Sequence, residues 1–244
     1  NTAYQHGENY RYEGGGAGLL RDTLLYNLGI RIDHTAMVDF NGFRQIVDTL
    51  GGLDVPVYCS YTDWHLIAPG LDENNEDSWA LYTVGPGVVH MDGDLALWYA
   101  RSRMKSNDYD RGRRQQEVLR AIFSRALSLN IFPQIPQLYS DLNSAVRTDM
   151  GLGDILSLVP FALQINNADI RSYYIRPPLI YGTINSSGIY VQYPYGPALL
   201  AMLQAAFAPS QRLPEVQAQL VQVWNGSPYD GWDRLAVERL SYAG

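Results

Sequence analysis

The chain has 244 residues, 46% hydrophobic and 18% charged, with a formal net charge of −7, a composition that folds rather than staying disordered. The acidic total and the lack of a second basic stripe argue against a nucleic-acid binder, and no run of about 18 apolar residues is present to span a membrane. The single cysteine, Cys59, excludes an internal disulfide and a thiolate metal cluster.

Residues 1–16 show no periodicity, and the triple glycine at 14–16 reads as a flexible turn. Leu19, Leu20, Leu24 and Leu28 then follow helical spacing until Gly29 stops them. Residues 35–40, TAMVDF, read as a strand. Asn41 is placed to cap a second helix carrying Phe43, Ile46, Val47 and Leu50, which ends at Gly51-Gly52. LDVPV and Tyr58 alternate as a strand, with Pro56 marking an edge. Residues 60–78 are acidic and polar and read as a solvated surface excursion. Their carboxylates do not have calcium-loop spacing.

Residues 88–91 form a short strand, and Asp92 caps a helix bearing Leu95, Ala96, Leu97 and Tyr99. Val118, Leu119, Ile122, Phe123, Ala126 and Leu127 give residues 115–129 an amphipathic helical pattern, broken by Pro133 and Pro136. Helices are expected at 138–146, 152–165 and 196–207, and strands at 170–175 and 189–193. The class is therefore α/β (α+β). Residues 209–214 read as a linker, followed by one strand–helix unit, LVQVWNGS and then 232–242, too small to fold alone.

One stretch stands out. Arg101, Arg103, Lys105, Arg111, Arg113 and Arg114 place six of the 18 Lys and Arg residues within residues 101–114 of an otherwise acidic chain, opposed only by Asp108 and Asp110. Such clustering creates a local positive potential, and the planar arginine fork suits phosphate or carboxylate oxygens. A helix starting near Asp108 or Asp110 puts Asp108, Arg111 and Gln115 at i, i+3 and i+7, on one face. Ser106, Asn107 and Asp108 are all good N-caps. Charge clustering alone fits an anion site and a solvated helix face or basic partner rim equally well. His6, His34, His65 and His90 have no metal-ligand spacing, and no G-x-S-x-G elbow is present.

The segments VDFNGFRQIVDTLGGLDVPV (38–57), GVVHMDGDLALWYARSR (87–103), NDYDRGRRQQEVL (107–119) and VRTDMGLGDIL (146–156) resemble the LytR-CpsA-Psr family of bacterial cell-envelope enzymes. The most specific match is Y-x-R-x-R at Tyr99, Arg101 and Arg103, followed by D-x-x-R-x-x-R-Q at Asp108, Arg111, Arg114 and Gln115. The resemblance covers roughly residues 1–205, and implies a catalytic domain over 1–208. It implies a central mixed β-sheet flanked by helices on both sides. The tail, 215–244, resembles the opening of the LytR C-terminal domain that often follows.

What the resemblance implies about activity is a phosphotransferase outside the cytoplasmic membrane. It would move a glycopolymer from a polyprenyl-pyrophosphate carrier to peptidoglycan. Arg101, Arg103, Arg111, Arg114 and Gln115 are the expected pyrophosphate ligands. Asp108 and Arg111 are the expected catalytic pair, Asp108 as an orienting carboxylate or as part of the magnesium and base machinery. Helices such as 116–129 and 152–165 would line an apolar lipid tunnel. The family's membrane anchor and the paired aspartates that hold Mg2+ lie ahead of the position equivalent to Asn1. The Mg2+ ligands are thus expected upstream of residue 1, no metal ligand is assigned within 1–244, and these residues alone are expected not to transfer a glycopolymer. The alternative is a non-catalytic cell-surface scaffold or adhesion protein reusing the fold.

Overall fold

The computed structural model describes residues 2–68, 70–104, 106–142, 145–165, 170–208, 221–228 and 231–243. They fall into two compact units, Asn1–Ile46 with Ile131–Leu163, and Val47–Asn130 with Gln164–Gly244.

The first unit opens on a helix that hydrophobic periodicity misses. α1 (Thr2–Asn9) packs against α2 (Gly15–Leu28), and glycines make the contact. A Cβ on Gly7 would lie 2.5 Å from the Gly15 carbonyl oxygen, and one on Gly16 would lie 2.4 Å from that of Tyr4. Backbone meets backbone there, so no apolar side-chain stripe marks α1. The triple glycine is not a free turn: Gly14, in the left-handed region at φ 75°, starts α2. Gly29 ends α2 as expected, its N–H donating to Leu25 O.

β1 (Ala36–Val38) pairs antiparallel with β6 (Val146–Thr148), Met37 opposite Arg147. The Asp149 carboxylate fastens the end of this ladder, accepting from Thr35 N at 2.8 Å and Thr35 Oγ1 at 3.2 Å. These bonds hold its carboxyl below the usual range. α3 (Phe40–Thr49) begins one residue before the expected cap. Asp39, not Asn41, takes that role, its Oδ1 accepting from Gly42 N at 2.7 Å. α6 (Ile135–Asp141) is shorter than the helix expected over 138–146, because Val146 turns into the β6 ladder. α7 spans Leu152–Ala162.

The second unit holds the larger core. β2 (Leu53–Val57) pairs antiparallel with β5 (Gly87–Met91), and only Asp54 of β2 is exposed. Val47, Leu53, Val55, Met91, Ala96, Tyr99 and Val118 are buried around this ladder. α5 (Asp108–Ser128) packs on β2, α4 (Gly93–Arg101) packs on α5, and α9 (Trp232–Ala243) packs on β5 and β2 through buried Leu235. The amphipathic pattern over 115–129 and the helix start expected near Asp108 or Asp110 thus belong to one helix, which begins at Asp108.

The acidic excursion is not merely a solvated loop. Its first part is β3 (Tyr61–Leu66), which pairs in a hairpin with β4 (Trp79–Val84) just beyond it, Asp63 opposite Tyr82. A second hairpin pairs β7 (Ile180–Ile184) with β8 (Tyr190–Pro194) and leads into α8 (Gly196–Phe207). Asn185 Oδ1 closes its turn by accepting from Ser187 N and Ile189 N. Residues 170–175 are not a strand. Arg120 donates to Ile170 O and, at 3.1 Å, to Ser172 Oγ, so a side chain meets this backbone instead of a ladder. Nor do residues 221–227 form a strand. The expected linker, 209–214, lies outside the described residues.

The α/β class read from the sequence is the class observed. Among the described residues its strands pair as four two-stranded antiparallel ladders, β1–β6, β2–β5, β3–β4 and β7–β8, rather than as one mixed sheet. Of these, β7 and β8 are joined by residues 185–189 alone, too short a connection for a parallel crossover.

Candidate functional site

The site is built where α4 hands over to α5. Asp92 starts α4, its Oδ1 accepting from Leu95 N at 2.9 Å. Ser102 closes it, its N–H and Oγ both donating to Trp98 O. The chain then turns sharply and re-enters helix at Asp108, with Asn107 as the cap, its Oδ1 accepting from Asp110 N at 2.9 Å.

That turn is clamped from two sides. Asp63, on β3, accepts from Arg103 N at 2.7 Å and Met104 N at 3.0 Å through one carboxylate oxygen. From beneath, Arg114 donates through Nε to Tyr99 O at 2.8 Å and through Nη2 to Ser102 O. Its guanidinium also reaches Ser106 Oγ at 3.3 Å and lies 4.1 Å from the centre of the Tyr61 ring. Arg114 is 1% exposed. Its side chain is therefore a buried clamp on this turn, beneath the exposed arginines expected to bind pyrophosphate with it. The desolvation cost of a buried guanidinium is met by backbone oxygens and aromatic faces.

Above the clamp, Arg103 and Arg111 converge on Asp108. Arg103 Nη2 stands 2.9 Å and Arg111 Nη2 3.2 Å from the same atom, Asp108 Oδ1. Arg103 and Asp108 are 60% and 61% exposed, and Arg111 31%, so the array faces solvent. Gln115, one turn further along α5, donates to Ala100 O at 3.3 Å and ties α5 to the last turn of α4. Arg101 is the exposed last residue of α4. Five of the six expected site residues thus lie at one helix junction with the arginines outward, and Arg114 lies below it. Lys105 lies outside the described residues.

A buried network supports the array. Tyr99 donates to Glu117 Oε2 at 3.0 Å, and Arg113 donates to Glu117 Oε1. Glu117 is 3% exposed. Burial pushes its carboxyl above the usual glutamate range, against the pull of Arg113 and the Tyr99 hydroxyl. Burial, with Glu117 nearby, also pushes the Tyr99 hydroxyl up. Sequence reasoning missed Asp63 and Glu117, and took Ser106 only as a possible cap, whereas Asn107 caps α5 and Ser106 meets Arg114. The i, i+4 spacing of Arg113 and Glu117 is a visible signal of their pair; nothing in the sequence marks Asp63 as the residue that holds a turn 40 positions away.

Among the described residues no three His, Cys, Asp or Glu side chains are grouped to hold a metal ion. Among them, too, no helix is long and apolar enough to cross a membrane.

The family model described as "LytR_cpsA_psr family" matches residues 1–206. The polyisoprenyl-teichoic acid–peptidoglycan teichoic acid transferase TagT of Bacillus subtilis (strain 168) is 26% identical over 170 residues, covering 68% of this chain and 50% of TagT. TagV, the transferase of the same printed activity from that organism, is 29% identical over 186 residues, covering 69% of this chain and 45% of TagV. The chain therefore spans about half the length of these curated relatives. The crystal structure of B. subtilis TagV superposes with a TM-score of 0.59 at 25% identity, covering 80% of this chain and 70% of that one.

Proposed function

Since the chain belongs to the LytR-CpsA-Psr family, we propose that it supplies the pyrophosphate-binding part of a transferase that moves a glycopolymer from a polyprenyl-pyrophosphate carrier to peptidoglycan. The names of TagT and TagV, teichoic acid–peptidoglycan transferases, support this reading. The observation that carries it is the pair of arginines held on one carboxylate oxygen, Arg103 and Arg111 on Asp108 Oδ1.

Phosphoryl transfer depends on positioning and on neutralising oxygens. Asp108 holds two guanidiniums with donors left over, since each fork carries five N–H groups. Those donors meet the pyrophosphate. The acceptor hydroxyl oxygen forms a bond to the phosphorus that carries the glycan. The bond from that phosphorus to the bridging oxygen breaks, and polyprenyl phosphate leaves with the electron pair. The hydroxyl proton goes to a base, for which Asp108 is the candidate. Arg114 and Asp63 act through the turn they clamp, keeping Arg103 in place without touching substrate.

The Mg2+ of the family does not fit the carboxylates of this site. Asp108 Oδ1 faces two arginines, and Asp63 accepts backbone N–H groups through both oxygens. No step here is routed through a metal.

A transfer assay with a lipid-pyrophosphate donor and a peptidoglycan acceptor, run on the full-length protein, tests the reading. Loss of one charge-stabilising donor costs about 10²–10³ in turnover, so Arg111→Ala is expected to fall by that much. Arg31→Ala is the control: this residue is 84% exposed and pairs locally, with Asp33. Wild-type turnover from both Arg103→Ala and Arg111→Ala would place the chemistry elsewhere. No turnover by the intact protein across several donors would favour the scaffold reading.

A further inference from the structure

On the flank of the same helix turn lies a cavity of about 400 Å³, its lining including Tyr109, Asp110, Tyr174, Arg176, Pro177 and Leu179. Successive helix residues are about 100° apart. Asp108 and Arg111 therefore share the face that holds the phosphate array, and Tyr109 and Asp110 turn toward this cavity. The two sites are neighbours around one helix whose whole diameter is about 10–12 Å.

The lining is specific in character. Two tyrosines supply aromatic surface. Tyr109 is held by Gln192 of β8, whose Nε2 donates to its hydroxyl oxygen at 3.3 Å. The guanidinium of Arg176 stands 5.9 Å from the centre of the Tyr174 ring. The opposite wall is closed by a turn in which Leu179 N donates to Arg176 O at 2.7 Å. One carboxylate and one guanidinium face the same space, so the cavity is close to charge-balanced and does not extend the anion site. Aromatic faces with a few fixed donors and acceptors are what a pocket for a small, hydroxyl-rich ligand requires. Its volume lies at the small end of the ligand-pocket range.

We propose that this cavity is a saccharide subsite, taking one pyranose ring of a glycan whose phosphate chemistry occurs on the Arg103–Arg111 array. The tyrosine faces take the apolar face of the ring, the Asp110 carboxylate accepts from ring hydroxyls, and Arg176 donates to ring oxygens. The assignment rests on the transferase reading, which puts a sugar on each side of the reacting phosphate, one on the donor and one on the acceptor.

The test is calorimetric titration of the full-length protein and of its Tyr174→Ala, Arg176→Ala and Arg111→Ala variants. Three probes are used: inorganic pyrophosphate, a soluble peptidoglycan disaccharide, and an N-acetylhexosamine diphosphate on a short prenyl chain. Loss of an aromatic contact or a charged hydrogen bond predicts a weakening of about tenfold. Tyr174→Ala and Arg176→Ala are expected to show it for at least one sugar-bearing probe, with pyrophosphate binding unchanged. Weakening confined to the disaccharide assigns the acceptor sugar, and weakening confined to the prenyl probe assigns the donor sugar. Unchanged affinity for both sugar probes overturns the proposal, as does an equal loss for pyrophosphate, which would make the cavity part of the anion site. Sugar binding that depends on Tyr174 and Arg176, in a protein whose pyrophosphate binding ignores Arg111→Ala, would support the subsite and overturn the transferase reading. Arg176 lies on an exposed turn, so its variant remains informative if Tyr174→Ala fails to fold.

Discussion

Arg111 and Arg114 stand three residues apart in one cationic run, and the fold buries one and presents the other. A charge cluster read from sequence shows that cations gather but not which of them points inward. Arg114 goes inward because the carbonyls of Tyr99 and Ser102 and the Tyr61 ring are there to receive it. Arg114→Leu leaves those buried carbonyls unpaired, at about 1–3 kcal/mol each. For a chain of this size that lowers the thermal midpoint on the order of 10 °C. Arg114→Lys restores little, since a point charge does not reproduce the fork. A midpoint unchanged in Arg114→Leu, with pyrophosphate binding lost, would return Arg114 to the ligand set. Glu117 gives a pH signature. Its carboxyl is raised in the folded state, so the folded form holds that proton more tightly than the unfolded chain does. Its contribution is greatest below the unfolded glutamate value of about 4.3 and falls as pH rises through the shifted folded value. The urea midpoint of the wild type, compared with Glu117→Gln, should therefore decline over that rise. A difference independent of pH would mean that Glu117 ionises as it does in the unfolded chain.

At the scale of elements, α2, α4, α5, α7 and α8 were legible because each carries an apolar period and most have a recognisable stop or cap, such as Asp92 or Gly29. α1 was not legible, because Gly7 and Gly16 let backbones touch where side chains would otherwise mark the interface. The β3–β4 hairpin hid for another reason. Its polar residues, Thr62 and Thr83 among them, bond to each other across the ladder, and Asp63 serves the arginine turn. Gly16→Ala tests the helix contact. Its Cβ would meet the Tyr4 carbonyl oxygen at 2.4 Å, an overpacking that costs about 1–3 kcal/mol. Gly153→Ala in α7 meets nothing within 4 Å and should gain about 0.4–1 kcal/mol from the stiffer unfolded chain. Urea midpoints of the two variants should move in opposite directions. A fall of equal size in both would show that the close contact at Gly16 is not the term that separates them.

Over the whole molecule, the proposed chemistry lies within one of the two units, the one formed by Val47–Asn130 and Gln164–Gly244. Its ingredients are far apart in sequence: Asp63 from a hairpin, Arg103 from a turn, Arg111 from a helix, and Tyr174 and Arg176 from an irregular segment. The motif at 99–115 made the arginine array readable, because its members follow one another through a single helix–turn–helix. The clamp at Asp63 and the cavity at Tyr174 needed the fold, since only tertiary packing brings those segments to the motif. A net charge of −7 makes any anion binding depend on that local array rather than on the protein's overall field. The most direct measurement is therefore a calorimetric titration of pyrophosphate into the wild type, Arg111→Ala and Arg111→Lys. A hydrogen bond to a charged group is worth about 1.5–3 kcal/mol, so the alanine variant should bind at least about tenfold more weakly, and lysine should restore only part of the loss. Equal affinity in all three would contradict the assignment of Arg111, and with it the pyrophosphate site.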